Sequence, residues 1–453
     1  MDAAAESNAR APFAVTHRAV LAVALPMTLA YLTTPLVGLV NLGVVGRLGD
    51  PALVGGVAIC GVVFDVVFAT FNFLRAGTTG LVAQAFGRRD ATEIQATLYR
   101  ALMLGVGAGV VIVALKSPIL HLALMLLGGS SAVHAAATTY WQVRVLAAPL
   151  TLANYVILGW LIGLGRAGYG LVLQLVVNSI NVLVSIMLVD RFGFGVAGVG
   201  WASVAGEFTA VILGAIFVLH LTRGGPKPGP ATIFSGAAFR RLIVLNRDIM
   251  IRTFVLILSF ALFTSRSAAA GDIVLAANEL LMNVVIFAAF FLDGLAAAAE
   301  QLGGRALGAG SRATFERAVR LVVLWGFAVG GALTLAIFLG GPAIIDTMST
   351  SDAVRVAARQ VLAWAALFPL FGTLAYQMDG VFIGATWSAD MRNAMLVSVA
   401  IYLVTGWSVA SLLGITGWWI ALLVFLAVRG ISLWWLLGIR IGPAFSADRQ
   451  PVP

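Results

Sequence analysis

The hydrophobic positions of this 453-residue chain fall into long runs separated by short stretches of Arg, Lys, Gly and Pro. A run of ~20 apolar residues makes a helix long enough to cross a bilayer. In hydrocarbon such a segment satisfies its own backbone only as a helix or within a closed barrel. Twelve runs of this kind lie near 18–45, 51–76, 95–117, 135–158, 168–190, 196–220, 241–268, 272–302, 314–341, 353–380, 391–412 and 415–438. The pattern predicts an all-α polytopic membrane protein with twelve transmembrane helices. Its first run is unusual. It contains Pro26 and Pro35, and it ends in TTPLVGLVNLGVVGRLGD, which sets the amide of Asn41 among apolar residues.

Composition agrees with the pattern: 61% of residues are hydrophobic and 10% charged, against roughly 25% charged in soluble chains. A net charge of +9 would point to nucleic acid in a soluble protein. Here it predicts the bilayer as partner and no nucleic acid, because cytoplasmic loops collect Lys and Arg. Arg10, Arg18, Arg88, Arg89, Arg166, Arg223, Lys227, Arg240 and Arg241 fall on one side, as do Arg305, Arg312, Arg317, Arg320, Arg392, Arg440 and Arg449. The other side has Arg47, Lys116, Arg191, Arg266, Arg355 and Arg359. This asymmetry predicts cytoplasmic termini, with tails 1–17 and 439–453. The N-terminus has no cleavable signal pattern.

The one stretch rich in Gly and Pro, TRGGPKPGPATIFSG from Thr222, reads as a linker. It divides the chain into a six-span lobe at 18–221, a cytoplasmic linker at 222–239 and a second six-span lobe at 240–438. The halves align at a shift of about 221 residues: VAQAFGRRDATEIQATLYRA from Val82 matches GGRALGAGSRATFERAVRL from Gly303, and YVILGWLIG from Tyr155 matches YQMDGVFIG from Tyr376. Six spans per half give both halves one orientation. They are therefore parallel repeats, a design in which transporters bind substrate near the midplane.

Several stretches carry a more specific likeness: FLRAGTTGLVAQAFG from Phe73, LNRDIMIRT from Leu245 and LAANELLMNVVIFAAFFLDGLAAAAEQLGGRALGA from Leu275. MDGVFIGATWSADMRNAM from Met378 and LVFLAVRG from Leu423 add to them. In these the chain resembles the multidrug and toxic compound extrusion (MATE) transporters, in particular their DNA-damage-inducible F branch. The resemblance implies two pseudo-symmetric six-helix lobes forming a V around a cavity. It also implies export of amphipathic or cationic compounds against inward H⁺ or Na⁺, from the inner (cytoplasmic) membrane, and the protein is expected to act as a monomer.

By the family's motifs, a coupling site in the N-terminal lobe uses an Asp on the first helix, an Asn and an Asp on the fifth and a hydroxyl on the sixth. The matching positions are Asn41, Asn181, Ser185 and Ser203, all polar, with neither carboxylate present. At ~1.5 Å per residue the four lie near one level of the outer half. They fit either a hydrogen-bonded network joining helices or a substrate contact. An amide does not titrate, so Asn41 carries no proton.

Ionisable residues inside spans are costly and are functional candidates by default. In the first lobe these are Asp65, for which Arg75 is a competing ion-pair partner, and Glu207, one turn from Ser203 on the same face. In the second they are Glu279, Asp293, Glu300 and Asp379, with Arg252 and Arg429 available as fixed partners. Asp293, Asp379, Glu300, Glu207 and Asp65 are thus the candidate coupling acids, and Pro26 and Pro35, which each remove a helical hydrogen bond, the candidate hinge. Tyr31, Phe64, Phe68, Phe71, Phe287, Phe290 and Phe291 are candidates for lining a cavity and equally for packing.

The resulting reading is a secondary transporter for small amphipathic or cationic substrates. Its alternatives are a lipid or lipid-linked-oligosaccharide flippase, which calls for a basic cavity containing Arg75, Arg144 and Arg252, and an uncoupled facilitator. An enzyme is not expected. His17, His121, His134 and His220 lie near span ends without HExxH spacing, and there is no GxxxxGK[ST] phosphate loop. A single cysteine, Cys60, rules out disulfides and cysteine-based metal sites. No cofactor or metal is expected.

Overall fold

The computed structural model describes residues 13–446. Arg10 and Arg449, counted above among the cytoplasmic charges, lie outside them. Among the described residues every regular element is helical, and twelve helices are long and apolar enough to cross a membrane. They are α1 (His17–Gly46), α2 (Pro51–Gly87), α3 (Ala91–Ala114), α4 (Ser131–Gly163), α5 (Ala167–Arg191), α6 (Gly195–Thr222), α7 (Pro230–Ala269), α8 (Asp272–Gly308), α9 (Arg312–Met348), α10 (Asp352–Gly384), α11 (Ser388–Leu413) and α12 (Ile415–Phe445). A shorter apolar helix, Lys116–Leu127, lies between α3 and α4. Several helices outlast their apolar runs, α2 reaching Gly87 and α8 Gly308. The backbone keeps its hydrogen bonds where the side chains have already turned polar.

Local chemistry sets the ends. Asp50 accepts from the Ala52 amide with Pro51 in the first turn, and Asp90, Ser130 and Ser311 accept from the amides of Glu93, Val133 and Thr314. Each cap satisfies an amide that the first turn leaves without a partner. Pro149 interrupts α4: the three residues Val145–Ala147 form a tighter 3₁₀ turn just before it, as proline has no N–H to donate to the carbonyl a turn before. By contrast, α1 runs unbroken through Pro26 and Pro35.

The chain forms two compact units. The first comprises Leu29–Ala85 and Asp90–Leu242; the second takes Phe86–Arg89, everything from Ile243 onward and the described residues up to Thr28. In the second unit the start of α1 is tied down by several contacts. Arg317 Nε donates to the Val15 carbonyl at 2.6 Å, and the Arg305 guanidinium lies over the rings of Phe13 and Phe86 at 3.8 and 4.7 Å. Gly294 of α8 packs against Ala24 and Thr28 with no space for a Cβ.

Inside each unit the same small-residue contacts recur. In the first, Gly159 and Gly163 of α4 press on the carbonyls of Arg75 and Thr79 of α2; in the second, Gly380 and Gly384 of α10 press on those of Ala296 and Glu300 of α8. All four pairs are related by the shift of about 221 residues. Gly105 against Leu152 and Gly326 against Thr373 repeat it for α3 on α4 and α9 on α10. A side chain at Gly159, Gly163, Gly380 or Gly384 would overlap a carbonyl, so glycine is what lets these helices approach closely, as small residues do in membrane helix packing.

Candidate functional site

In the first unit, two contacts set the register of α1 against α5. Asn178 Nδ2 donates to Thr33 Oγ1 at 2.7 Å, and Arg47 reaches Asp190 at 3.3 Å. Both residue numbers rise together, so the helices run parallel, and the contacts bracket Asn41 and Ser185 at matching heights. Both are buried, with 7% and 0% of their surface exposed. Asn181 Nδ2 donates to Ser203 Oγ at 2.9 Å, while the Ser203 hydroxyl points to the Val199 carbonyl. Asn41 Oδ1, Asn181 Oδ1 and Ser185 Oγ have no hydrogen-bond partner among the described residues. Of the hydrogen-bonded level the residue types suggest, one side-chain bond is therefore made. The Ser203 hydroxyl is spent on its own helix. What is left over is two amide oxygens and the Ser185 hydroxyl, which can both donate and accept.

Deeper on α6, Glu207 is buried and receives Asn154 Nδ2 on its carboxylate at 2.6 Å; the same amide also bonds the Glu207 carbonyl at 3.0 Å. Asp65 lies in the field of Arg144, whose guanidinium sits over the rings of Phe64 and Phe68 at 5.1 and 5.5 Å. Arg75, the partner considered for Asp65 from residue order, donates to Asn72 at 3.1 Å. Arg144, a cation from α4, acts on Asp65, and Arg75 lies with both in the surroundings of Tyr155. Phe64 and Phe68 stack on each other at 5.6 Å; Phe287 of α8 stays 54% exposed.

The second unit holds a denser arrangement. Oδ2 of Asp379 on α10 is paired with both Arg252 of α7 and Arg429 of α12. The three side chains are 7%, 15% and 3% exposed. The guanidinium of Arg429 lies over the Tyr376 ring at 5.9 Å. Tyr376, one turn before Asp379, also feels the charges of Asp293 and Arg252. Asp293 is half-buried and Glu300, two turns along α8, is 2% exposed. Glu279 accepts from Thr264 at 3.0 Å. Asp293, Asp379 and the two arginines thus share one neighbourhood around Tyr376, and Glu300 lies below it against Gly384.

One buried acid escaped the sequence reading. Asp248, on α7, is 2% exposed and takes Arg392 at 2.7 Å, Arg247 at 3.1 Å and Ser388 at 3.2 Å. Its place within LNRDIMIRT was visible, but its partners on α11 stand about 140 residues away and share no local pattern with it.

With this geometry in hand, comparison with known proteins gives a consistent result. The family described as MatE matches residues 26–187 and 249–408. DNA damage-inducible protein F of Escherichia coli (strain K12) is 37% identical over 92% of this chain and 91% of its own. A probable multidrug resistance protein NorM of Rhizobium meliloti (strain 1021) is 27% identical over 93% of each. Among solved structures, the outward-facing conformation of a multidrug resistance MATE family transporter of the MOP superfamily superposes with a TM-score of 0.86 at 18% identity, covering 94% of this chain and 96% of that one. That structural likeness carries the fold.

Proposed function

From the premise that the chain belongs to the MATE family, we propose that it is a secondary active transporter of the inner membrane, with both termini cytoplasmic. It exports amphipathic or cationic small molecules by alternating access of its two six-span halves and is driven by inward H⁺ or Na⁺. The observation that carries this reading is a set of buried acids inside apolar spans: Glu207 held by a neutral amide, and Asp379 with Asp293 beside two arginines. Such groups are expensive in hydrocarbon and mark ion and substrate pathways.

The acids divide the work by their partners. Asp379 is clamped by two cations, so its charge is already matched and exchanging an ion there means opening two pairs. Glu207 faces an amide, which donates one hydrogen bond and no charge. Asn154 can hold the neutral acid or the carboxylate alike. Glu207 is therefore the group we assign to ion exchange in the first unit, and Asp293 in the second, with Glu300 supporting α8. The level of Asn41, Asn181, Ser185 and Ser203 serves as a neutral polar surface for a substrate that forms hydrogen bonds. Ion binding drives the cycle only through a difference in affinity between the two conformations. Pro26 and Pro35 lower the resistance of α1 to bending, since neither can donate to the carbonyl a turn before.

Gradient dependence tests this reading. Purified protein in vesicles with an imposed proton or sodium gradient is expected to accumulate ethidium, and an ionophore that collapses the gradient should abolish the accumulation. Asn41, an amide where the family places an acid, favours one competing reading, the uncoupled facilitator. Ethidium movement indifferent to both gradients selects it.

A further inference from the structure

The short helix Lys116–Leu127 of the first unit has two unlike faces, and the ion and substrate sites proposed above use neither. Its predecessor α3 has 24 residues, about 36 Å of helix at ~1.5 Å per residue, which outlasts the ~30 Å hydrocarbon core of a bilayer. The short helix therefore starts at a membrane surface. Leu122, Met125 and Leu126 form its exposed apolar face. Ser117, Leu120, His121 and Leu124, at helical spacing, turn instead toward α4, and with Lys116, Trp141 and Gln142 they line a cavity of about 260 Å³. Trp141 Nε1 donates to the Lys116 carbonyl at 2.9 Å and pins the start of the short helix to α4.

The lining combines donors for an anion with an apolar floor. Among the described residues the side chains of Lys116, Ser117, His121 and Gln142 make no hydrogen bond or ion pair. No acid lines the cavity, and none occurs in the sequence between Glu93 and Asp190. The acids at the same end of the unit are used elsewhere: Asp50 caps the Ala52 amide, and Asp190 pairs with Arg47. An ammonium without a counter-ion, beside a hydroxyl, an amide and an imidazole, suits phosphate oxygens. We infer that the cavity holds the phosphate of an anionic phospholipid, whose acyl chains continue onto the apolar face of the same helix. The Lys116 stem lies along apolar surface while its ammonium reaches the phosphate. A choline-bearing lipid fits less well, because Lys116 repels its ammonium and no carboxylate receives it. A free phosphate would use the polar groups and leave Leu120, Leu124 and Trp141 idle.

Photocrosslinking of the full chain in phosphatidylcholine nanodiscs tests this without any transport step. Two trace probes carry a diazirine at the same acyl position, one a phosphatidylglycerol and the other a phosphatidylcholine, and mass spectrometry of the digested protein locates the label. Label on Lys116–Leu127 is divided by label around the exposed side chains Leu335, Phe338 and Leu339 of α9, which cancels general lipid contact. In wild type this ratio is expected to be about tenfold higher for the phosphatidylglycerol probe, the effect of one charge-assisted bond. Lys116→Gln is expected to bring the two probes level, and Lys116→Arg to keep the difference. A wild-type protein that takes up both probes equally overturns the inference, whether or not a variant is recovered folded. So does a Lys116→Gln protein with an undiminished preference. Labelling in phosphate buffer and in chloride of equal ionic strength separates the two sources of phosphate. Equal labelling supports the lipid; loss of label in phosphate alone makes the occupant a free phosphate and overturns the lipid assignment.

Discussion

Removing the central acid and removing one of its arginines should have opposite consequences for the second unit. Asp379→Asn takes from two buried guanidiniums the carboxylate that they share. At contact distance and an effective dielectric of about 20, each lost attraction is on the order of 4 kcal/mol, and the repulsion between the cations is unmasked. Some relaxation follows, and breaking buried pairs in this way costs about 3–5 kcal/mol. Arg252→Gln takes away one attraction but also relieves the cation–cation repulsion. It leaves Arg429 paired with Asp379, both under a tenth exposed. Its cost is expected to stay within about 1 kcal/mol. Thermal unfolding in nanodiscs, read by tryptophan fluorescence, suits this comparison because Trp418 and Trp419 are buried in the same unit. For a unit of this size Asp379→Asn should lower the midpoint by on the order of 10 °C and Arg252→Gln by less than about 4 °C. Equal drops for the two variants, or an Asp379→Asn protein as stable as wild type, would refute the reading of Asp379 as the acid shared by both arginines.

Three further outcomes follow from the first unit and from the repeat. Glu207→Gln keeps an oxygen to accept the Asn154 amide, so the protein should fold normally yet lose most gradient-driven ethidium accumulation; unchanged accumulation removes Glu207 from ion exchange. Asn41→Asp places a carboxylate at the height of Ser185 and is expected to add a pH dependence to ethidium efflux, so superimposable pH profiles would show that this level takes no part in coupling. Gly380→Ala and Gly159→Ala each force a methyl into a carbonyl and should each destabilise by about 1–3 kcal/mol, measured as matched losses of thermal stability, with Gly168→Ala, where a Cβ meets nothing within 4 Å, as the harmless control.

Helices and the duplication were legible in the residues because both rest on one-dimensional signals. Apolar runs of spanning length mark helices wherever the solvent is hydrocarbon, and the match of Tyr155 with Tyr376 carried the repeat that the glycine contacts later express. Acids and hydroxyls inside spans could be named for the same reason. Their partners could not. Asp379 meets Arg252 and Arg429 from helices 127 and 50 residues away, and Asp65 lies in the field of Arg144 from another helix. Pairing across helices depends on rotation and height, which hydropathy leaves undetermined. The grouping of the start of α1 with the second unit had no sequence signal either, because it comes from Arg305, Arg317 and Gly294 closing on residues 13–28.

The repeat itself explains why the two halves share a frame and not a chemistry. Gly159 and Gly380, Gly163 and Gly384, and Gly105 and Gly326 keep their places under the shift of about 221 residues. A larger residue at the first four overlaps a backbone carbonyl that cannot move without moving a helix. Charged positions are under no such steric demand. Under the same shift Asp379 stands opposite Leu158, Asp293 opposite Asn72, Arg252 opposite Tyr31 and Arg429 opposite Phe208. Removing one partner of a buried ion pair is costly, so paired groups change as sets. That is what the two halves display. One holds two arginines, Asp379 and Asp293 around Tyr376; the other, around its counterpart Tyr155, holds Glu207, Asp65, Arg144 and Arg75. Both tyrosines mark the same point of the frame, and different charged sets from different helices have been assembled there. Two halves with unlike charge at equivalent points respond unequally to one ion or one substrate.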